Sequence, residues 1–260
     1  MANLTDILPY LAGVKVIKET FNFTTSGAVQ TFTKDPEDKF YLVKLWSGGG
    51  GGGSGGGATN TVQGGAGGGY FELFLIAEEL TNTTNIVVGG GGAPTPPVSS
   101  TARTTAGESS TFGSIVVNGA AGGNNGFSAG GGLNNFPLTE ANIQGGNVSY
   151  RTAPDQIYAG ANRKSPTGAT FPAPRNGNSI YGGAVGGVSA ADTPGNTIYG
   201  GGSGAFLFGS LQGTTIFGGS GGASGNPNGT DGQVPGGGGG AGVQTGGRGG
   251  NGQVIVYRFR

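Results

Sequence analysis

Between Phe21 and Trp46 apolar and polar residues alternate in short runs. Phe21 and Phe23 flank Asn22, Val29 to Thr33 alternates in the same way, and Phe40 to Trp46 forms a longer apolar run, so each reads as a strand. Asp35-Pro36-Glu37-Asp38, between the last two, reads as a turn. The alternation returns at Gln253 to Phe259, which places Ile255, Tyr257 and Phe259 on one face. Tyr70 to Ile76 and Asn85 to Val88 are two further strand candidates. Ahead of them all, Leu4, Ile7, Leu8 and Leu11 fall at helical spacing, and Pro9 limits any helix there to a turn or two.

Between these runs the chain is dominated by glycine. Of 63 glycines only Gly13 and Gly27 precede Gly48. Gln63-Gly64-Gly65-Ala66, Phe217-Gly218-Gly219-Ser220 and Thr245-Gly246-Gly247-Arg248 each open a run with the form Gly-Gly-X. A period of three belongs to the polyproline II type of helix, which has three residues per turn and no internal hydrogen bonds. Built from glycine, such a helix keeps every N–H and can bond sideways to neighbours. Ordering glycine costs roughly 0.5 to 1 kcal/mol more than ordering alanine. About 60 of them would carry a penalty of order 30 to 60 kcal/mol, tolerable only where bare backbones approach too closely for a Cβ. Two glycine ridges would then be buried, with X facing outward.

A longer repeat overlies this one. Ile180-Tyr181, Ile198-Tyr199 and Ile216-Phe217 recur at equal spacing, each followed by two glycines. The expected fold is all-β and irregular: β-strands framing a sandwich of polyglycine II helices with long inserted loops, the Ile-aromatic pairs forming an apolar skin. A β-solenoid with 18-residue coils is the alternative. The expected division is an N-terminal attachment segment, 1–20, and a glycine-rich domain, 21–260. Its framing strands lie in 21–47 and 253–259, and pairing between them would bring the domain's ends together.

Composition narrows the chemistry. A combined Gly and Pro content of 63 and 13 in 260 residues is what a disordered chain shows, but 14 Phe and 8 Tyr with only 10% charged residues supply material for a core. With no Cys and no His, thiol nucleophiles, Ser-His-Asp triads and Cys/His zinc sites are excluded. A formal net charge of zero leaves no basic footprint for nucleic acid. No apolar run spans a bilayer, and the first residues do not read as a secretory signal. Matches to G-x-G-x-x-G are expected by chance at this glycine content. Glu78 and Glu79 are sequence neighbours that read as a solvated edge. The expectation is therefore no enzyme, no catalytic residue, no metal and no cofactor.

Four stretches escape the glycine rule: 93–112, 133–179, 189–196 and 224–235. The second holds Phe136, Tyr150, Arg151, Tyr158, Arg163, Lys164, Phe171 and Arg175. Aromatic side chains with Arg are the composition of binding hot spots, and loops on a rigid scaffold are where recognition sits. Any single aromatic here reads better as a loop anchor, while the loop set as a whole reads better as a recognition surface. Leu4, Ile7, Leu8 and Leu11 are the candidates for attachment to a partner, with packing on their own domain an equal alternative.

Phe21 to Gly53, Gly64 to Phe71, Val87 to Gly92 and the closing Gly249-Gly250-Asn251-Gly252-Gln253-Val254-Ile255-Val256-Tyr257 together resemble the glycine-rich domain of bacteriophage tail proteins. The plan is also similar to the tip adhesins of T-even-like long tail fibres, where a polyglycine II sandwich presents variable loops. That resemblance implies a virion protein of the tail or fibre, made in the host cytoplasm. It implies attachment to a fibre or tail protein through residues 1–20 and contact of the loops with a host surface protein or polysaccharide, with a homotrimer as one virion form. A purely structural fibre, tail or capsid-decoration role is the alternative. An ice-binding protein would want a flat regular face, against which the long loops argue, and a depolymerase would want clustered carboxylates.

Overall fold

Alternation in the framing segments produces two antiparallel sheets. The computed structural model describes residues 19–55, 62–94, 105–123, 134–135, 180, 182–184, 195–205 and 211–260. The strands are β1 (Glu19–Phe23), β2 (Val29–Thr33), β3 (Phe40–Trp46), β4 (Tyr70–Ile76), β5 (Thr83–Val87), β6 (Ser110–Phe112), β7 (Ile115–Val117), β8 (Asn134–Asn135) and β9 (Gln253–Phe259). One sheet has the order β1-β9-β3-β4 and the other β2-β5-β6-β7-β8. The chain's last strand thus pairs with its first, Phe21 opposite Val256, and with β3, Val43 opposite Val256. The expected closure of the domain's two ends is what the fold shows.

The sheets bury one face each against the other. Tyr41, Val43 and Leu45 of β3 and Val254 and Val256 of β9 pack on Phe32, Ile86, Phe112 and Val117 of the second sheet. At roughly 1.5 to 3 kcal/mol for each large apolar side chain, this core is the main hydrophobic term of the fold. Phe32 stands edge-on to Tyr41, with ring centroids 5.2 Å apart, and to Phe21 at 5.3 Å. Arg258 is drawn inward as well, its Nε 3.0 Å from Oδ2 of Asp38, whose carboxylate also accepts a hydrogen bond from the Tyr41 hydroxyl. Arg260 joins from the same strand end, Nε 3.3 Å from Asp38 Oδ1 and Nη2 2.5 Å from Asp35 Oδ2. The acidic turn between β2 and β3 is therefore clipped to the end of β9. Burial, and then the Asp38 carboxylate, push the Tyr41 phenol well above its ordinary value.

Beyond Trp46 the chain leaves the sheet as an extended glycine segment, 48–53, at the centre of a lattice. Its N–H groups donate in rotation to three neighbours. Gly48 and Gly51 reach Glu108 and Thr105, Gly49 and Gly52 reach Gly250 and Gly247, and Gly50 and Gly53 reach Ala66 and Gln63. Its carbonyls accept in rotation from three more: Ala120 and Gly123, Gly92, and Gly239 and Gly242. The partner numbers fall along the first three neighbours, which run antiparallel, and rise along 120–123 and 239–242, which run parallel. A donor direction that returns every third residue is the threefold repeat of the polyglycine II helix. The segment 236–242 is enclosed in the same manner.

Close packing explains the residue type. A Cβ on Gly50 would lie 2.0 Å from the carbonyl oxygen of Ala121, and one on Gly52 would lie 2.0 Å from that of Gly240. The outward position of X holds for Arg248, which is exposed, and in part for Thr245 and Asn251, but not for Gln63 and Ala66, which are buried. The segment that carries Gln63 and Ala66 has lattice neighbours on several sides, so its third ridge also meets protein. Lattice segments are not confined to glycine tracts. Thr105 to Glu108 and Thr230 to Gln233, inside stretches expected as loops, are lattice segments bonded to Gly48 and Gly51 and to Gly240 and Gly237. Ser110–Phe112 in the first of these stretches and Asn134–Asn135 in the long one are strands.

Candidate recognition end

The units of the longer repeat are reversals of direction. Gly195 lies beside Ser203, whose hydroxyl donates to its carbonyl at 3.3 Å, and the Thr197 hydroxyl donates to the Gly200 carbonyl. The next unit repeats this with Gly221 N–H on the Gly213 carbonyl and Gly218 N–H on the Thr215 hydroxyl. Ile198-Tyr199 and Ile216-Phe217 therefore each sit at a bend between a segment running toward the sheets and one running away, and Ile180 lies at a like bend, with Tyr181 outside the described residues. Successive bends are bonded together, Tyr199 N–H to Ile180 O at 2.9 Å and Phe217 N–H to Ile198 O at 2.9 Å. Coils of a solenoid would progress without such reversals.

This stacking aligns the rings. Tyr199 is stacked between Tyr70, 5.2 Å away, and Phe217, 5.0 Å away, while Tyr70 meets Trp46 at 4.7 Å. Trp46 Nε1 donates to the Tyr199 carbonyl at 2.7 Å. Of the expected apolar skin, Tyr199 and Phe217 form a row of rings with the buried Tyr70 and Trp46 of the β1-β9-β3-β4 sheet, Ile216 and Phe217 being exposed, while Tyr181 lies outside the described residues. Sequence reading missed both this link to Tyr70 and Trp46 and a fourth unit, Val234-Pro235-Gly236, which stands one further period beyond Ile216 and forms another turn. The signal was present as a spacing, hidden by the replacement of the aromatic residue with Pro.

These bends lie at the sheet end of the lattice, and the described segments between them run to its far end. Ser47 to Gly53 rises about 19 Å at 3.1 Å per residue. At the upper level Gly53 meets Gln63 and Gly242, Gly51 meets Thr105 and Gly123, and Ala241 meets Ala205. The described residues that flank 56–61, 95–104 and 206–210 thus include the upper-level positions, as does Gly123 before 124–133. Two complete turns share this end: Gln244 N–H reaches the Pro227 carbonyl at 2.7 Å, and the Thr245 hydroxyl reaches Asn228 Oδ1 at 2.6 Å. Asn226, Pro227, Asn228 and Gln244 are exposed. What this end presents is a set of polar turns on bases fixed by backbone hydrogen bonds.

The stretch 136–179 is bounded differently. Asn134–Asn135 pairs with β7, and Ile180 lies at the sheet-end bend, so this stretch is flanked at both sides by residues of the sheet end. Phe136, Tyr150, Arg151, Tyr158, Arg163, Lys164, Phe171 and Arg175 fall outside the described residues, as do Leu4, Ile7, Leu8 and Leu11. No curated protein matches the chain. A family of glycine-rich domains does, over residues 24–258, which takes in both sheets and the lattice described above. By that match the chain belongs to the glycine-rich domain family.

Proposed function

We propose that the protein is a bacteriophage virion adhesin of the tail fibre or tail tip, which binds a host surface protein or polysaccharide without enzymatic action or cofactor. The observation that supports this reading is the pair of exposed polar turns, 225–229 and 242–245, at the end of the lattice away from the sheets, beside the described residues that flank 56–61, 95–104 and 206–210. Ligand contact there needs little reordering of bases such as Gly55, Thr105, Gly123 and Ala205, which lattice hydrogen bonds hold, and a preorganised base limits the entropy lost on binding. Residues 141–178, with their aromatic and Arg side chains, are the second proposed recognition segment, and the described residues that bound their stretch, Asn135 and Ile180, belong to the sheet end.

A structural virion role is the second reading. It is favoured by Phe74, Ile76, Ile216 and Phe217, which are 40, 43, 70 and 56% exposed and suit contact with a neighbouring subunit. Binding of the labelled protein to intact cells of the strain that the phage infects separates the two. The adhesin reading expects saturable binding that is lost when 95–104 or 141–178 is replaced by a short linker with an unchanged melting transition. Absence of cell binding, together with firm association with virion parts, would establish the structural reading instead.

A further inference from the structure

β9 lies inside its sheet, between β1 and β3. Phe21 and Val43 both stand opposite Val256 across the two ladders, and among the described residues β9 is the strand that joins β1 to the sheet. The preceding segment is equally central. Gly250 and Gly247 accept the N–H groups of Gly49 and Gly52 at 2.9 and 2.8 Å, while Gly249 and Gly252 donate to Gly92 and Gly89. Val254 and Val256 are fully buried in the core, and Arg258 and Arg260 bring the cationic groups that face buried Asp38.

We propose that residues 245–259 are a closing strap, and that the domain passes from open chain to lattice only when this strap inserts. Three deficits coincide until it does. The central glycine segment has two donors without acceptors, the sheet is divided with β1 detached, and the Asp38 carboxylate is buried without its cations. Without the strap the first sheet is reduced to the β3-β4 pair, and a strand pair alone is marginal in water. The second sheet then lacks the Val254 and Val256 face it packs on, and a polyglycine helix has no internal hydrogen bonds. The pairing of β3 with β9 also closes a loop of most of the chain, the kind of contact that forms late.

Nascent-chain force measurement on the full chain tests this, with an arrest peptide placed at increasing distance along and beyond the sequence. A single release step is expected, and only at lengths that bring Phe259 out of the ribosomal tunnel. A comparable step from chains ending before Thr245, or no step at any length, overturns the proposal. Val256→Asp, inside the strap, should abolish the step, whereas Val29→Asp at a position 66% exposed on β2 should retain it. A Val256→Asp chain with the step unchanged would equally overturn it.

Discussion

Replacement of Gly50 by alanine adds one methyl group at the middle of the lattice. Its carbon would stand 2.0 Å from Ala121 O and 2.5 Å from Ala121 C, both backbone atoms that have no rotamer to escape into. A carbon sits beside a carbonyl oxygen at about 3.3 Å or more, so segments 48–53 and 120–123 must part by more than about 1 Å. They are joined by Ala120 N–H to Gly48 O at 3.1 Å and Gly123 N–H to Gly51 O at 2.9 Å. Overpacking strain of about 1 to 3 kcal/mol and the breaking of two buried hydrogen bonds, at about 1 to 3 kcal/mol for each donor that loses its acceptor, outweigh the roughly 0.4 to 1 kcal/mol gained by restricting the unfolded chain. The net loss, about 2 to 8 kcal/mol, is comparable to the whole stability of an ordinary domain, about 5 to 15 kcal/mol. Gly90→Ala is the matched control, because its Cβ first meets Glu108 Oε2 at 3.0 Å, the end of a side chain that can swing away. Urea denaturation followed by circular dichroism should place Gly90→Ala within about 1 kcal/mol of the parent, with Gly50→Ala far below or unfolded. Equal midpoints for the two variants would refute the close-packing argument.

Two further outcomes follow from the sheet end. The folded-state pKa of Tyr41 is raised above that of the unfolded chain, so its contribution is fully present below about pH 10 and is lost as pH climbs through the folded value, at up to about 1.4 kcal/mol per pH unit. Denaturation midpoints measured from pH 8 to 11 should fall less steeply for Tyr41→Phe than for the parent, and identical slopes would contradict the burial and Asp38 effects. Tyr199→Ala removes the middle ring of a stacked trio and should cost roughly 1 to 3 kcal/mol from its two ring pairs. Near-ultraviolet circular dichroism should lose intensity with it, and an unchanged spectrum would mean that the rings do not stack in solution.

The parts of this fold that sequence reading reached are those whose signal is local and long. β3, β4 and β9 each offer seven residues of apolar or alternating pattern, and Gly-Gly-X announces its period within two repeats. β6 and β7 are three residues each, and β6 lies in a polar stretch that reads as a loop, so no window contains enough period to reveal them. The burial of Gln63 and Ala66 was illegible for another reason. Whether X meets solvent depends on how many neighbours its helix has, and those neighbours come from segments as far apart in the chain as Gly50 and Gly239. Ala66, Ala120, Ala205 and Ala241 are fully buried, showing that a few lattice sites leave room for one methyl group. The Asp38 cluster escaped as well, because its cations, Arg258 and Arg260, arrive from the opposite end of the chain.

The same lattice geometry would suit the proposed recognition role. In an ordinary sheet or helix bundle, side chains that face the core must match across elements, so a change in one loop that shifts its flanking element disturbs packing. Around Gly48 to Gly53 the contacts are backbone to backbone, with hydrogen bonds of 2.8 to 3.1 Å fixing both spacing and register. Little side-chain information is needed to place each segment, and the sequence between segments is correspondingly free. Loop closure adds only about 0.6 kcal/mol for each doubling of loop length, small against the hydrogen bonds that anchor each base. Insertions between Pro94 and Thr105 or between Ala205 and Leu211 should therefore vary in length and chemistry with little effect on the lattice below. The constraint on this chain falls on glycine positions such as Gly50 and Gly52, and the freedom falls on the segments between them.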